Sequence, residues 1–431
     1  MLRLTATLRV AVLLCGLVLG SALAGCGGGG ARTATVTRPA PAPTGASSSA
    51  PPAQRLPIGV SENNPWLVDP GAVPEGFAAW RDRLAALHPA RYRLFVDWST
   101  LQPDPKVPAD LAQPNDGCLR GMPPCGPFAG MRDRLRAIAA RQRADGGGWA
   151  VMIVLQGVPE WAAIPAGGCE QPGADHRSRP ITAAGLAGYQ ALIRALLALG
   201  RQEGVALRWW SPFNEPNHPG FISPQRAACD AHAPSLAPAV YSRLVRAARQ
   251  TLDATPGGPY HLILGEMAGY GSPTPRGTGI SEFVRALPDD VACAGTVWSQ
   301  HEYTQPDRSQ PDAVGELERV LDERACTRGK RIWVTETGVG GTRAGSPRSL
   351  RAVDQRAQCA AEAALLEHWA GDPRVTAAFQ FSVREDTAYP VGLFDPELTR
   401  AYPVYDLWRA WGAARPGDPA GVPRPSGCAD P

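Results

Sequence analysis

Charge of either sign is scarce in this chain and nearly balanced. Charged residues make up 19% of the 431 residues, and the formal net charge is only +3. Proteins that bind nucleic acid need a concentrated basic surface for the phosphates, and the sequence contains no basic stripe of that kind. We therefore predict no nucleic-acid partner. The length suits one large barrel domain or two domains of ordinary size.

Patterns that bind metals and cofactors are also missing. No cysteine pair has the close Cys-x-x-Cys spacing and the nearby histidines of a zinc site. No glycine-rich phosphate loop follows a predicted strand. We therefore expect neither a metal centre nor a cofactor.

The ten cysteines instead indicate disulfide bonds. Cys15 and Cys26 lie in the N-terminal segment, which leaves an even set, as expected of a disulfide framework in an exported protein. The sequence alone does not give the connectivity. Our hypothesis is the pairing Cys118–Cys125, Cys169–Cys229, Cys293–Cys326 and Cys359–Cys428. The third pair has the strongest basis, because both of its cysteines precede the starts of consecutive predicted strands.

The N-terminus has the pattern of an export signal. A positively charged start is followed by an apolar run, residues 10–19, that is too short to cross a bilayer comfortably. Residues 23–26 (Leu-Ala-Gly-Cys) then resemble the lipobox of bacterial lipoproteins, in which the cysteine is acylated and becomes the first residue. The resemblance implies a signal peptide over residues 1–25 and a membrane lipid anchor on Cys26, facing the extracytoplasmic side. An ordinary secretory signal is the alternative, and it also implies export.

Residues 26–56 have the composition of a flexible tether. The segment is built mainly from Gly, Ala, Pro, Thr and Ser and has almost no large apolar residue. Such a segment cannot bury enough apolar surface to order itself. We therefore place the start of the folded domain at residue 57.

Strand-like and helix-like patterns alternate between residues 57 and 415. The predicted strands are 58–60, 92–96, 150–155, 207–213, 261–265, 296–301, 332–335 and 377–381. The predicted helices are 74–87, 129–144, 182–203, 239–254, 281–287, 312–324, 350–370 and 402–411. Eight strands, each followed by a helix, predict a single α/β domain of the (β/α)8 TIM-barrel class. Residues 416–431 are then a tail that a disulfide bond would hold.

Two glutamates that follow predicted strands carry most of the functional information. Glu215 follows residues 207–213, and Glu336 follows residues 331–335. Both runs are rich in aromatic or β-branched residues, and both glutamates are followed by loop-forming residues. Barrels of parallel strands place their chemistry at the carboxyl ends of the strands. Two carboxylates that meet there are the minimal apparatus for breaking a glycosidic bond.

With their flanking residues, these glutamates resemble those of the retaining glycoside hydrolases of clan A. In that clan the acid/base glutamate follows strand four and the nucleophile follows strand seven, the positions of Glu215 and Glu336 in the predicted order. Residues 214–216 match the clan's Asn-Glu-Pro motif. The resemblance covers roughly residues 57–415.

Further segments match the clan in the same order along the chain. Arg93 stands where the clan keeps an arginine near the nucleophile. Residues 159–162 are similar to a Pro-x-Trp-Ala turn after strand three. Residues 301–303 resemble the segment whose tyrosine hydrogen-bonds the nucleophile. The eighth strand departs from the pattern, because residues 379–382 (Phe-Gln-Phe-Ser) lack the tryptophan that many members keep under the sugar.

The resemblance implies a double-displacement reaction. Glu336 would be the ionised nucleophile, held by Arg93 and Tyr303. Glu215 would begin protonated, with a pKa raised by nearby negative charge and by partial burial, and would later act as the base. The residues expected to contact the substrate are Asn214, Arg93, His301, Tyr303 and Trp161.

Each of these roles has an ordinary structural alternative. A glutamate at a strand end can be a salt-bridge partner or a helix cap, and His301 can be a hydrogen-bonded structural histidine. His218 and Asp97 are pocket candidates by position only. Most tryptophans in such barrels are core residues, and we expect two or three of the twelve to contact a ligand. The candidates are Trp66, Trp98, Trp161, Trp210 and Trp298.

Three functional hypotheses follow from the sequence. The first is an exported, lipid-anchored retaining glycosidase that acts on an oligosaccharide, polysaccharide or glycoside. The second is a lipoprotein that binds glycans on an inactive glycosidase scaffold. The third, a metal-dependent barrel hydrolase, would require histidine and aspartate ligands that the sequence lacks. Because both glutamates and their expected supports are present, the sequence favours the first hypothesis.

Overall fold

The computed structural model of the chain describes residues 56–303, 312–341, 347–414 and 422–429. The predicted signal peptide and nearly all of the tether, with Cys26, lie outside the described residues. The described part contains the predicted barrel domain and one segment of the C-terminal tail.

Eight parallel strands of the described chain form a closed barrel in the order β1–β8–β7–β6–β5–β4–β3–β2. They are β1 (Ile58–Ser61), β2 (Arg91–Asp97), β3 (Ala150–Gln156), β4 (Trp209–Ser211), β5 (His261–Met267), β6 (Val297–His301), β7 (Ile332–Thr337) and β8 (Val375–Phe381). The predicted (β/α)8 fold is thereby confirmed. The fourth strand is shorter than predicted and ends at Ser211, since Pro212 has no N–H to donate to the ladder.

A helix follows each strand and packs on the outside of the barrel. These helices are α1 (Ala78–Ala85), α2 (Gly130–Ala144), α3 (Ala183–Glu203), α4 (Ala237–Asp253), α5 (Ile280–Ala286), α6 (Ala313–Asp322), α7 (Ala352–Gly371) and α8 (Pro403–Ala413). By length and composition, α3 could cross a membrane. However, its apolar stripe, which includes Leu192, Leu196 and Leu199, is buried in the barrel's core, and this packing explains its apolar composition.

The inside of the barrel is a packed apolar core. It contains Met152, Val154, Ile263, Val297, Trp333, Ala377 and Phe379. Gly59 makes room for the ring of Phe379, because a Cβ at that position would lie 2.3 Å from the ring. The guanidinium carbon of Arg91 lies 4.0 Å from the ring centre of Trp333. This core leaves the carboxyl ends of the strands as the place for polar side chains.

All four hypothesised disulfide bonds are present. They are Cys118–Cys125, Cys169–Cys229, Cys293–Cys326 and Cys359–Cys428. The last bond joins α7 to the short segment that follows α8, as predicted for the tail. The first bond closes a small loop beside the cavity described below.

Candidate active site

The carboxyl ends of the strands surround a cavity of about 900 Å³. Glu215, Glu336, Asn214, His301 and Tyr303 all line it, although they come from three separate parts of the chain. A cavity of this size can enclose one or more sugar rings. The structure therefore brings together these five of the side chains that the sequence analysis placed in a site.

The two sequence-predicted glutamates approach each other closely. A carboxylate oxygen of Glu215, a ring nitrogen of His301 and a carboxylate oxygen of Glu336 lie within 4.8 Å of one another. In retaining glycosidases the two carboxyl groups are roughly 5–5.5 Å apart, whereas inverting enzymes leave room for a water molecule at roughly 6.5–9.5 Å. The separation here fits the retaining arrangement.

Two side chains hold Glu336 in place. Nη1 of Arg93 donates a hydrogen bond to Oε1 of Glu336 at 2.7 Å, and the hydroxyl of Tyr303 donates to Oε2. Arg93 is fully buried, so its positive charge acts in a medium of low polarity. These contacts leave the carboxylate oriented toward the cavity, which is the arrangement that a nucleophile requires.

Asn214 is positioned by the same arginine. Nη2 of Arg93 donates to Oδ1 of Asn214 at 2.8 Å, which fixes the orientation of the amide. The amide nitrogen of Asn214 has no hydrogen-bond partner among the described residues, and the side chain lines the cavity. A donor is therefore available to a ligand hydroxyl beside the two glutamates.

A third buried glutamate, Glu266, was missed by the sequence analysis. It lies on β5, is fully buried, and accepts hydrogen bonds from Arg93 and from the hydroxyl of Ser299 at 2.8 Å. The strand pairing shifts at this residue, and such a bulge turns a side chain into the site. The signal was available in the sequence, because Glu266 ends an apolar strand just as Glu215 and Glu336 do.

The backbone is strained at two of these glutamates. Glu215 has a φ of 35° and Glu266 a φ of 52°, in the left-handed region that favours glycine. A non-glycine residue there costs on the order of 1–3 kcal/mol and is found preferentially at functional sites. The strain at both residues therefore points to a function for the side chains that it positions.

His301 is the centre of the charged network. Its Nδ1 lies 2.9 Å from Glu215 and 3.5 Å from Glu336, and its Nε2 lies 3.5 Å from Glu266. Burial lowers the pKa of His301, but the charge of Glu336 and the hydrogen bonds with Glu215 and Glu266 raise this pKa to about 9. The imidazole is therefore protonated at neutral pH, donates from Nδ1 to Glu215, and lies within ion-pair distance of Glu336 and Glu266.

The protonated histidine reverses one expectation. We expected a raised pKa for Glu215, and burial does act in that direction. The hydrogen bond from His301 and its positive charge outweigh burial, so the pKa of Glu215 lies below its ordinary value. The expectation of a raised pKa is therefore wrong, because in this structure the imidazole holds the proton of the pair.

The tryptophans lie elsewhere than expected. Among the described residues that line the cavity there is no tryptophan. Trp161 donates to the backbone oxygen of Gln102 at 2.8 Å and packs edge-on against Trp98, so the structure does not support its expected contact with substrate. Phe381 and Tyr389 line the cavity instead, with ring centres 6.0 Å apart, on the side where strand eight lacks its tryptophan.

The two pocket candidates chosen by position have different surroundings. His218 lines the cavity and stacks on Tyr270, with ring centres 5.6 Å apart. Asp97 lies outside the cavity lining and accepts a hydrogen bond from the backbone N–H of Ser99, so it caps the short helix after β2. The prediction that Asp97 lines the pocket was therefore wrong.

Glu215, His301 and Glu336 also form a donor set with the dimensions of a metal site. The fit is poor for electrostatic reasons. Arg93 and the protonated His301 already supply positive charge to these carboxylates, and a metal ion would lie beside both. Metal binding would also require a neutral imidazole.

Comparisons with known proteins identify the fold. No protein-family profile and no curated protein matches the chain. The solved structure of a GH39 β-xylosidase from Caulobacter crescentus matches with a TM-score of 0.53 and 14% identity, over 85% of this chain and 72% of that chain. SrfJ from Salmonella typhimurium matches with a TM-score of 0.54 and 10% identity, over 84% and 76% of the two chains. A glucosidase from Croceicoccus marinus matches with a TM-score of 0.51 and 14% identity, over 84% and 68%. At such identities the likeness establishes a shared fold.

The buried pair of Arg93 and Glu266 predicts the effect of a single substitution. Glu266→Gln removes one partner of a fully buried ion pair, so we expect the free energy of unfolding to fall by up to about 3–5 kcal/mol. The matched control is Glu282→Gln, because Glu282 is partly exposed and its partner Arg226 also donates to backbone carbonyls. Denaturant unfolding of both variants checks this. Equal losses would show that the network around Arg93 has no special importance for stability.

Proposed function

We propose that this protein is a glycoside hydrolase that cleaves O-glycosidic bonds with retention of configuration. Glu336 is the nucleophile and Glu215 is the acid/base. The observation that carries the proposal is the approach of the two carboxylates, within 4.8 Å, in a cavity large enough for sugar. That separation favours direct attack by a carboxylate over attack by an interposed water.

The reaction proceeds in two displacements. An oxygen of Glu336 attacks the anomeric carbon while the bond from that carbon to the leaving oxygen breaks and the leaving oxygen takes a proton from Glu215. In the second step, water attacks the same carbon, its proton goes to Glu215, and the bond to Glu336 breaks. Asn214 donates to the sugar hydroxyl next to the reacting carbon, a contact that strengthens in the transition state.

Glu215 acts together with His301 as a pair that shares one proton. Before the reaction the proton is on the imidazole, 2.9 Å from the Glu215 carboxylate. Its transfer to the carboxylate gives a neutral acid and a neutral imidazole, and burial then favours the protonated form of Glu215. The pKa values that govern catalysis consequently belong to the pair rather than to Glu215 alone.

A glycan-binding protein on an inactive scaffold remains the alternative function. The intact charged network disfavours it. Three carboxylates and an arginine in a buried site are costly to maintain, and binding of a neutral glycan requires none of them. The kinetic experiments below separate the two functions.

We also propose that the protein is exported and anchored by a lipid on Cys26. The disulfide bonds of the barrel support export, because such bonds persist in oxidising compartments. The lipobox-like residues 23–26 support the anchor.

The two glutamates should respond differently to leaving groups. Glu336→Gln removes the nucleophile, so hydrolysis of every substrate should slow greatly. Glu215→Ala removes acid and base assistance, which contributes roughly 10²- to 10⁴-fold. The resulting loss of rate in the first displacement should be small for an activated aryl leaving group and large for a sugar leaving group. Steady-state and burst kinetics on aryl glycosides and disaccharides measure the difference.

Azide provides the control for these roles. A small anion needs no base, so azide should accelerate Glu215→Ala and give a glycosyl azide of retained configuration, whereas Glu336→Gln should not give that product. NMR of the first product from wild type should show the substrate's own anomeric configuration. Inversion would refute the mechanism, and absence of hydrolysis on a broad glycoside panel would favour the glycan-binding alternative.

His301 predicts a shift in the pH profile. In the wild type, activity requires the proton of the pair and should be lost as the pH rises through the His301 pKa of about 9. In His301→Gln the proton is held by Glu215 alone, so the basic limb of kcat/KM should move to lower pH. His368→Gln, which replaces an exposed histidine on α7, should leave that limb close to its wild-type position. If the basic limb of kcat/KM did not shift in His301→Gln, His301 would have no part in proton transfer.

The anchor predicts the behaviour of a cysteine variant. Cys26→Ala should lose metabolic labelling by fatty acid and should leave the membrane fraction, whereas Cys15→Ala, within the predicted signal peptide, should keep both. Labelled fatty acid followed by membrane fractionation measures this. Unchanged membrane partition of Cys26→Ala would mean that something else anchors the protein.

A further inference from the structure

The cavity extends beyond the two glutamates into a second lobe, which we call the arginine lobe. It lies at the ends of β1 and β8 and beside the loop closed by Cys118 and Cys125, across the barrel mouth from Glu215, which follows β4. Among the described residues its charged lining consists of three arginines and two carboxylates. They are Glu62, Arg120, Arg134, Arg384 and Asp386. Positive charge is thus in excess in this lobe.

Two of the arginines already have partners. Arg120 forms a hydrogen-bonded ion pair with Asp386. Arg384 directs its donors to backbone oxygens, among them Pro396 at 2.6 Å and Met122 at 3.0 Å. Both guanidinium groups therefore already have partners within the protein.

Glu62 is satisfied as well. Its Oε1 accepts from the backbone N–H groups of Asn63 and Asn64, both at 2.9 Å, and its Oε2 accepts from that of Arg384 at 3.1 Å. Burial raises the pKa of Glu62, while these hydrogen bonds lower it in part. The carboxylate thus depends on backbone donors and needs no arginine side chain to satisfy it.

Arg134 is the exception among the three arginines. It projects from α2 into the lobe, with its guanidinium carbon 5.6 Å from the ring centre of Phe128. Its Nε is inaccessible to solvent and has no hydrogen-bond partner. Among the described residues, Arg134 forms neither a hydrogen bond nor an ion pair. Burial lowers the pKa of Arg134, whereas the nearby Tyr92 and Glu62 raise it.

An arginine in this state is suited to an anionic ligand. Arg134 is half-buried, its buried Nε has no hydrogen-bond partner, and the guanidinium fork matches the two oxygens of a carboxylate or of an oxyanion ester. The surrounding excess of positive charge would attract the same ligand. The neutral sugars of most glycans would leave the donors of Arg134 without a charged partner.

The arginine lobe lies on the side of the cavity that the cleaved sugar would occupy. An acid glutamate must reach the oxygen that links this sugar to its leaving group. Glu215 lies in the loop after β4, in the same part of the cavity lining as the stacked rings of His218 and Tyr270, so the leaving group extends toward β4 and β5. The cleaved sugar and any residues linked to its other end then extend toward β1 and β8, where Arg134 lies.

We propose that the arginine lobe binds an acidic sugar, one that carries a carboxylate or a sulfate ester, and that Arg134 is its anion-binding residue. This deepens the proposed function by naming the substrate class. Binding itself does not depend on hydrolysis, so the two proposals can be tested separately.

The test compares acidic and neutral ligands on the full-length protein in detergent. Isothermal titration calorimetry measures the affinity of the protein for three sets of ligands. They are the methyl α- and β-glycosides of glucuronic, galacturonic and mannuronic acids, the corresponding neutral hexosides, and the 6-sulfate esters of those hexosides. At least one acidic glycoside should bind more tightly than its neutral counterpart. In Arg134→Met its affinity should fall roughly tenfold or more, the effect of losing a charged hydrogen bond. Whichever of the uronide and the sulfate ester binds more tightly shows which anionic group the site prefers.

Two further variants control for folding and general charge. Arg136→Met removes an exposed arginine of the same helix, bound to Asp133 and Glu203, and should leave the preference for the acidic glycoside unchanged. Arg134→Lys keeps the charge without the fork and should retain part of the preference. If Arg134→Met does not fold, as judged by circular dichroism, Arg134→Lys and the loss of wild-type preference at high salt still test the proposal.

The outcomes distinguish this inference from the proposed function. If neutral glycosides are hydrolysed and no acidic glycoside is preferred, the protein is a glycosidase and the anion site is refuted. A preference that survives Arg134→Met also refutes it and leaves Arg134 as a counter-charge for Glu62. If acidic glycosides bind through Arg134 but none is hydrolysed, the anion site stands and the proposed catalysis fails.

Discussion

The site depends on one buried cation. Arg93 is fully buried, and its guanidinium binds Glu266, Glu336 and Asn214, which come from three other strands or strand ends. Three carboxylates gathered in a buried site would repel one another and take up protons unless cations compensated them. A lysine could offer only a point charge, whereas the planar fork of arginine reaches several acceptors at once and fixes their positions. The geometry of the glutamates therefore follows from Arg93.

His301 is the second cation, and its protonation state can change the charge distribution of the network. Arg93 stays protonated, but the imidazole can lose its proton to Glu215 at 2.9 Å. While His301 is charged, three carboxylates face two cations, so the site keeps an excess of negative charge. In the proposed hydrolysis the oxocarbenium-like transition state carries positive charge, and such a site would stabilise it through fixed electrostatics. The arginine lobe has the opposite excess, so the two ends of one cavity suit opposite charges.

Much of the fold could be predicted because it depends on local patterns. Apolar strands and amphipathic helices are visible in short windows, and their alternation identifies the barrel. The pair Cys293–Cys326 followed because that alternation brings these two cysteines together, whereas the other three pairs were hypotheses without such a basis. The same rule that identified Glu215 applied equally to Glu266. No flanking motif marks that strand, however, and a bulge rather than the alternation of the strand directs the side chain of Glu266.

The sequence by itself determined the barrel, the order of its strands and the position of two glutamates at strand ends. Only the tertiary structure decided which groups meet. Arg93 and Glu336 are 243 residues apart and touch, while Trp161 lies outside the cavity and Asp97 caps a helix. The direction in which the pKa of Glu215 shifts was decided in the same way, by the contact with His301. The physical reason is that hydrophobic periodicity is local, whereas charge compensation depends on atoms that only the closed barrel brings within a few ångströms.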